Sequence, residues 1–109
     1  METVSIDFGK PCRVYFIGIG GVSMSGLAEI LKKEGFTVSG SDARESAFTE
    51  QLSAKGITVY IGQRRENLSS PVDYVVYTAA IHPDNPEFLE AKRLGIPMLS
   101  RAELLGQLM

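Results

Sequence analysis

The sequence predicts an α/β fold of three layers: a doubly wound sheet of about five parallel strands, in the order 3-2-1-4-5, with helices on both faces. Three observations carry the parallel, helix-covered sheet. Short apolar runs alternate with amphipathic runs along the 109 residues, as they do in a parallel sheet with crossover helices. Two of the runs, residues 13–17 and 72–77, carry apolar side chains on both faces, as strands covered on both sides do. One joint also recurs. Lys33-Glu34-Gly35-Phe36-Thr37-Val38, Ala54-Lys55-Gly56-Ile57-Thr58-Val59 and Arg93-Leu94-Gly95-Ile96-Pro97-Met98 each set a glycine where a helix closes in the left-handed conformation, then an apolar residue and a strand.

Taken in order, Met1 to Pro11 reads as a polar lead-in, and Cys12 as a small filler before the first strand, residues 13–17. A helix follows from about Gly21 to Glu34, with Met24, Leu27, Ala28 and Leu31 at helical spacing. Val38 to Ser41 is the second strand. Phe48 to Lys55 is the second helix, with Ser46 as its cap. Val59 to Ile61 is a short third strand, and Arg64 to Ser70 a polar connection with one helical turn. Val72 to Tyr77 is the fourth strand. Asn85-Pro86-Glu87 opens the third helix with a cap, a proline at the first position and an acid in the first turn. Met98-Leu99 is the fifth strand. Ser100-Arg101-Ala102-Glu103 is a capping box for a last helix through Leu108. No linker or low-complexity tract interrupts the pattern, so residues 1–109 are expected to form a single domain.

The totals exclude several classes. Hydrophobic residues make up 44%, charged residues 22%, and the net charge is −2; a nucleic-acid surface would show a basic excess. A single cysteine permits no intrachain disulfide, which fits a reducing compartment. No stretch is long and apolar enough to cross a membrane, and the first ten residues lack the apolar core of a signal peptide. The expectation is a cytoplasmic domain with neither membrane nor nucleic acid as partner.

The first strand runs into Gly18-Ile19-Gly20-Gly21-Val22-Ser23-Met24-Ser25-Gly26. Strand, glycine turn and helix together aim backbone N–H groups at an anion. Gly18, Gly20 and Ser23 fit G-x-G-x-x-small, one step from the dinucleotide fingerprint of Rossmann-like domains. Ser23 and Ser25 are candidate hydroxyl donors, and Gly26 suggests a close approach of helix to sheet. Asp42, about twenty residues on, is placed to accept from a ribose. Thr78 to Ile81 follow the fourth strand, where ligands of open parallel sheets sit. Each feature also has a plainer reading, as a tight turn, a turn aspartate or small residues for packing. His82 reads as an exposed loop residue and Arg64-Arg65 as a solvated pair. There is no Cys/His cluster for a metal, no G-x-S-x-G elbow and no phosphate loop, since Val4 stands where Gly9-Lys10 would need its first glycine. The residues describe an anion cradle without catalytic machinery. A nicotinamide or flavin dinucleotide domain, and an interaction module that binds no nucleotide, both stay open at this point.

A longer set of residues narrows the choice. Phe16 to Glu29, Val38-Ser39-Gly40-Ser41-Asp42, Tyr60-Ile61-Gly62, Tyr77-Thr78-Ala79-Ala80-Ile81, Asp84-Asn85-Pro86-Glu87 and the stretch from Ile96-Pro97 to Arg101-Ala102-Glu103 together resemble the start of the Mur ligase family of peptidoglycan synthesis. The likeness is to the branch that adds L-alanine to UDP-N-acetylmuramic acid. A branch that attaches murein tripeptide to the same sugar nucleotide shares part of the pattern. The resemblance implies the first of three domains, which holds the uridine diphosphate. It implies that ATP and magnesium belong to a central domain, so that no cofactor is expected in this one and ligation is beyond it alone. In such an enzyme ATP phosphorylates the sugar's carboxylate and the amine of alanine attacks the acyl phosphate. Carried over by position, Gly18, Ile19, Gly20, Gly21, Val22, Ser23, Met24 and Ser25 would meet the diphosphate. Asp42 would meet the ribose, Ser41 beside it would belong to the same UDP site, and Thr78, Ala79, Ala80 and Ile81 would border the nucleotide. Gln63 stands where many relatives have histidine; it keeps hydrogen bonding but carries no charge.

Overall fold

A computed structural model describes residues 6, 7 and 9–108. Its elements are β1 (Arg13–Ile17), α1 (Val22–Lys33), β2 (Thr37–Asp42), α2 (Ala47–Ala54), β3 (Thr58–Ile61), a 3₁₀ turn (Arg65–Leu68), β4 (Tyr74–Tyr77), α3 (Pro86–Leu94), β5 (Met98–Ser100) and α4 (Arg101–Leu108). The sheet has the order β3-β2-β1-β4-β5, and every pairing is parallel. The predicted fold class and strand order both hold.

Alternation along β1 sets the layers. Val14 and Phe16 enter one core with Leu27, Ala28 and Leu31 of α1, Leu52 of α2 and Leu104 of α4. Tyr15 and Ile17 enter the other with Leu68 of the 3₁₀ turn and Ala91 of α3. The three joint glycines, Gly35, Gly56 and Gly95, take φ values of 95°, 87° and 71°, the left-handed region that side chains avoid. The expected caps also form. Ser46 accepts from Thr49 N–H, Asn85 accepts from Glu87 and Phe88 N–H, and Ser100 and Glu103 make the reciprocal pair.

Three expectations are corrected. The fourth strand begins at Tyr74 rather than Val72. Asp73, just before it, instead accepts Arg13 N–H at 2.9 Å through its carboxylate and donates its own N–H to Arg13. Within the lead-in, residues 1–5 and 8 lie outside the described residues, but Ile6 is buried in the α1-side core and donates its N–H to Gln107 Oε1 at 2.9 Å, so this segment is not simply polar. Gly26 is exposed, and a Cβ there would meet nothing within 4 Å, so helix–sheet packing does not require it. Gly40 is a glycine that close packing does require: a Cβ there would stand 2.5 Å from the Phe16 carbonyl oxygen and 2.8 Å from the Ile19 side chain.

Candidate functional site

The carboxyl ends of β1 and β4 meet where the strand order reverses, which is where an open parallel sheet offers its crevice. The turn after β1 is held from below. Gly18 and Ile19 both donate to the Ser41 carbonyl at 2.8 Å, and Gly21 donates back to Gly18. Gly20 N–H donates to Asp42 Oδ2 at 2.9 Å. A Cβ on Gly20 would stand 2.8 Å from that oxygen and 2.9 Å from Thr49 Cγ2, so only glycine fits this approach.

These bonds decide which donors remain for an anion. The N–H groups of Gly18, Ile19, Gly20 and Gly21 are engaged within the protein, and Ser25 N–H joins Gly21. Val22, Ser23 and Met24 supply the first-turn N–H groups of α1, which an α-helix leaves without intrahelical partners. The cap of α1, Gly21, has no side chain to satisfy them, and no acid lies in that turn. The other three helices fill their own first turns with Ser46, Asn85 and Ser100. The Ser25 hydroxyl, expected as a further donor, is buried and donates to the Val22 carbonyl at 3.0 Å, so it is turned away from the opening. Ser23 is exposed, and Arg101 Nη1 donates to its hydroxyl at 3.1 Å. A guanidinium thus stands beside the open helix end, contributed by the first residue of α4.

Beside the turn lies a cleft of about 180 Å³ lined by Ile17, Gly18, Gln63, Thr78, Ala80, Ile81, His82 and Asn85. It gathers Gly18, Gln63, Thr78, Ala80 and Ile81 from three separate segments. Ala79 is exposed and is not part of the lining. Asn85 Nδ2 donates to Gln63 Oε1 at 2.7 Å, which orients the Gln63 amide. His82 and Asn85 were legible only as a loop residue and a helix cap; both prove to be walls of the cleft. Asp42 keeps Oδ1 as its less engaged oxygen, 3.4 Å from Arg44 N.

Behind the cleft, Glu87 is fully buried. It accepts from Tyr15 Oη at 2.8 Å, Ser41 Oγ at 2.5 Å, Asn67 Nδ2 at 2.6 Å and Arg64 N at 3.2 Å. Burial pushes the Tyr15 phenol well above its ordinary pKa, and the neighbouring Glu87 carboxylate adds to the rise. Tyr15 therefore stays a protonated donor. Among the described residues, no group of three or more His, Cys, Asp or Glu side chains gathers as a metal would require. Among the described residues, likewise, no helix is long and apolar enough to cross a membrane.

Residues 13–109 match the model of the Mur ligase family, catalytic domain. The chain is 65% identical over 104 residues to the UDP-N-acetylmuramate–L-alanine ligase of Agathobacter rectalis, covering 95% of this chain and 23% of that protein. It therefore spans about a quarter of the length of the curated relatives it matches. The crystal structure of UDP-N-acetylmuramate-alanine ligase from Thermotoga maritima superposes with a TM-score of 0.82 at 31% identity, covering 85% of this chain and 21% of that one. The Neisseria ligase named for UDP-N-acetylmuramate and L-alanyl-γ-D-glutamyl-meso-diaminopimelate superposes with a TM-score of 0.74 at 37% identity, covering 81% and 28%.

Proposed function

The chain belongs to the Mur ligase family, and from that footing we propose that it holds the uridine diphosphate end of UDP-N-acetylmuramic acid for a ligase that joins the sugar's carboxylate to L-alanine. The observation that carries the proposal is the open N-terminus of α1, with Arg101 against Ser23 and the Gln63–Thr78 cleft alongside. In this reading the N–H groups of Val22, Ser23 and Met24 hold a phosphate, and the guanidinium of Arg101 supplies positive charge. The cleft takes the nucleoside, with Gln63 and Asn85 as its hydrogen-bonding walls. Asp42 Oδ1 accepts from the ribose while Oδ2 braces Gly20.

The steps that use ATP and magnesium would lie with other domains of such an enzyme, and this chain's share is to present the substrate. A cytoplasmic location goes with this reading. The tripeptide-adding branch would use the same handle, because the Neisseria ligase is also named for UDP-N-acetylmuramate; the 65% identity to an alanine ligase favours alanine as the amine.

The test is thermal unfolding of the chain with UDP, UDP-N-acetylmuramic acid, NAD, NADP and FAD. A ligand at a hundred times its Kd adds about 2.7 kcal/mol of stability, and the two uridine nucleotides are expected to do so. Stabilisation by a dinucleotide and by neither uridine compound would refute the proposal.

A further inference from the structure

Glu87 is a carboxylate at core depth with no cation against it. It is fully buried, and none of the ion pairs among the described residues involves it. A buried charge is costly unless hydrogen bonds replace its water. Here four donors do so, arriving from β1, β2, the segment after β3 and the 3₁₀ turn. Its place in the first turn of α3 adds a favourable helix dipole. An apolar side chain would fill this position more simply, so the bonds themselves are the reason to look for a role.

The partners of those bonds form the two halves of the candidate site. Ser41, whose hydroxyl donates to Glu87 Oε1, holds the Gly18 and Ile19 N–H groups on its carbonyl. Arg64 N–H and Asn67 Nδ2 both donate to Glu87 Oε2, and Asn67 Nδ2 also donates to the Gly62 carbonyl at 3.0 Å. Gln63, which walls the cleft, lies between those anchored neighbours. We infer that Glu87 is the positioning residue that locks the glycine turn and the Gln63 segment into one frame, so that a nucleoside diphosphate meets both at once. The nucleotide part of this rests on the function proposed above; the frame itself does not.

The donor arrangement is unequal, and that makes the inference testable. Three donors meet Oε2 and one, a hydroxyl, meets Oε1. In Glu87→Gln the amide oxygen can keep the three-donor side, while its NH₂ faces Ser41, whose hydroxyl can turn to accept. Glu87→Met fills similar space and accepts nothing of comparable strength. The full 109-residue chain, as wild type, Glu87→Gln, Glu87→Met and the control Ile57→Ala, is to be followed by amide hydrogen exchange and by UDP calorimetry. Ile57 is buried and precedes β3, at the opposite end of the strands from the cleft.

In Glu87→Met, exchange at Gly18, Ile19 and Arg64 is expected to accelerate about tenfold or more, and UDP to bind about tenfold more weakly, as when a hydrogen bond to a charged group is lost. Glu87→Gln should stay within about threefold of wild type in both. Ile57→Ala should lose stability without these site-specific changes. Unchanged exchange at the three amides in folded Glu87→Met, or the same pattern in Ile57→Ala, would overturn the inference. Should Glu87→Met fail to fold, Ser41→Ala removes the Oε1 link and the Ser41 contact to the Tyr15 hydroxyl but leaves the Arg64 and Asn67 bonds to Oε2 in place. It is expected to loosen Gly18 and Ile19 but not Arg64, and uniform or absent loosening would refute the frame. A wild type that ignores UDP would refute the proposed function, while the exchange measurements would still decide the role of Glu87.

Discussion

Replacing Gly20 with alanine tests the turn where it is most tightly held. The new methyl would stand 2.8 Å from Asp42 Oδ2 and 2.9 Å from Thr49 Cγ2, closer than carbon tolerates. Asp42 is half-buried and can swing aside, but only by giving up its 2.9 Å bond from Gly20 N–H. Thr49 has less freedom. It is buried, and its Oγ1 accepts from Ser46 N–H and donates to the Ser46 carbonyl, so turning its methyl away opens the cap of α2. Losing a hydrogen bond to a charged group costs about 1.5–3 kcal/mol, and losing a cap about 1 kcal/mol. Because Asp42 is partly in water, the two routes converge on about 1–2 kcal/mol. For a domain near this size each kcal/mol lowers Tm by about 4–8 °C. The displaced turn also re-aims the first-turn N–H groups of α1, so UDP affinity should fall more than about tenfold, or more than about 1.4 kcal/mol. Gly35→Ala is the matched control. Its φ of 95° brings a strain of about 1–2 kcal/mol, yet it closes α1 at the far end and should leave UDP binding alone. Thermal unfolding and calorimetry on both variants give the answer. Wild-type Tm and wild-type UDP affinity in Gly20→Ala would show that the turn is neither braced as described nor part of the site.

The other predictions concern single contacts. Gly26→Ala, in an exposed helical position with open space around it, should raise stability by about 1 kcal/mol in urea unfolding without altering UDP binding. Arg101→Ala should weaken UDP binding a few-fold and flatten its dependence on salt, because the guanidinium beside Ser23 then no longer contributes charge; titrations at low and high ionic strength measure both. The Asp73 carboxyl is held below its ordinary pKa, chiefly by the Arg13 N–H and then by the Arg13 side chain. A depressed carboxyl contributes its full stability above the unfolded value of about 4 and loses it as pH falls through the folded value. The acid limb of a stability–pH curve should therefore be shallower in Asp73→Asn, by a small amount because the pair faces solvent.

What could be read from the sequence was written in neighbouring residues. Gly35, Gly56 and Gly95 announced helix ends because a left-handed residue is a local requirement, and Ser46, Asn85 and Ser100 announced helix starts because a cap bonds two or three positions away. The parallel strands followed from such joints and from apolar runs; their order is a long-range pairing that no local signal spells out. Gly26 was misread although its position was available: Met24, Leu27, Ala28 and Leu31 mark the buried face of α1, and residue 26 falls off that face at 3.6 residues per turn. The rest needed the assembled fold. Arg101 reaches Ser23 across 78 positions of sequence. The donors to Glu87 come from 72, 46, 23 and 20 positions away. In the sequence, Glu87 reads as an acid in the first turn of a helix, the ordinary place for one. That turn faces inward, and the carboxyl group is accommodated there by donors from four separate segments. Local rules agree with one another through most of this chain and are broken at Glu87, where burial and charge conflict. Such a break is expected where a fold gives up easy packing to hold a site in register. The conflict lies against the segments that flank Gln63, and the exchange rates of Gly18, Ile19 and Arg64 in Glu87→Met separate a positioning role from an accident of packing.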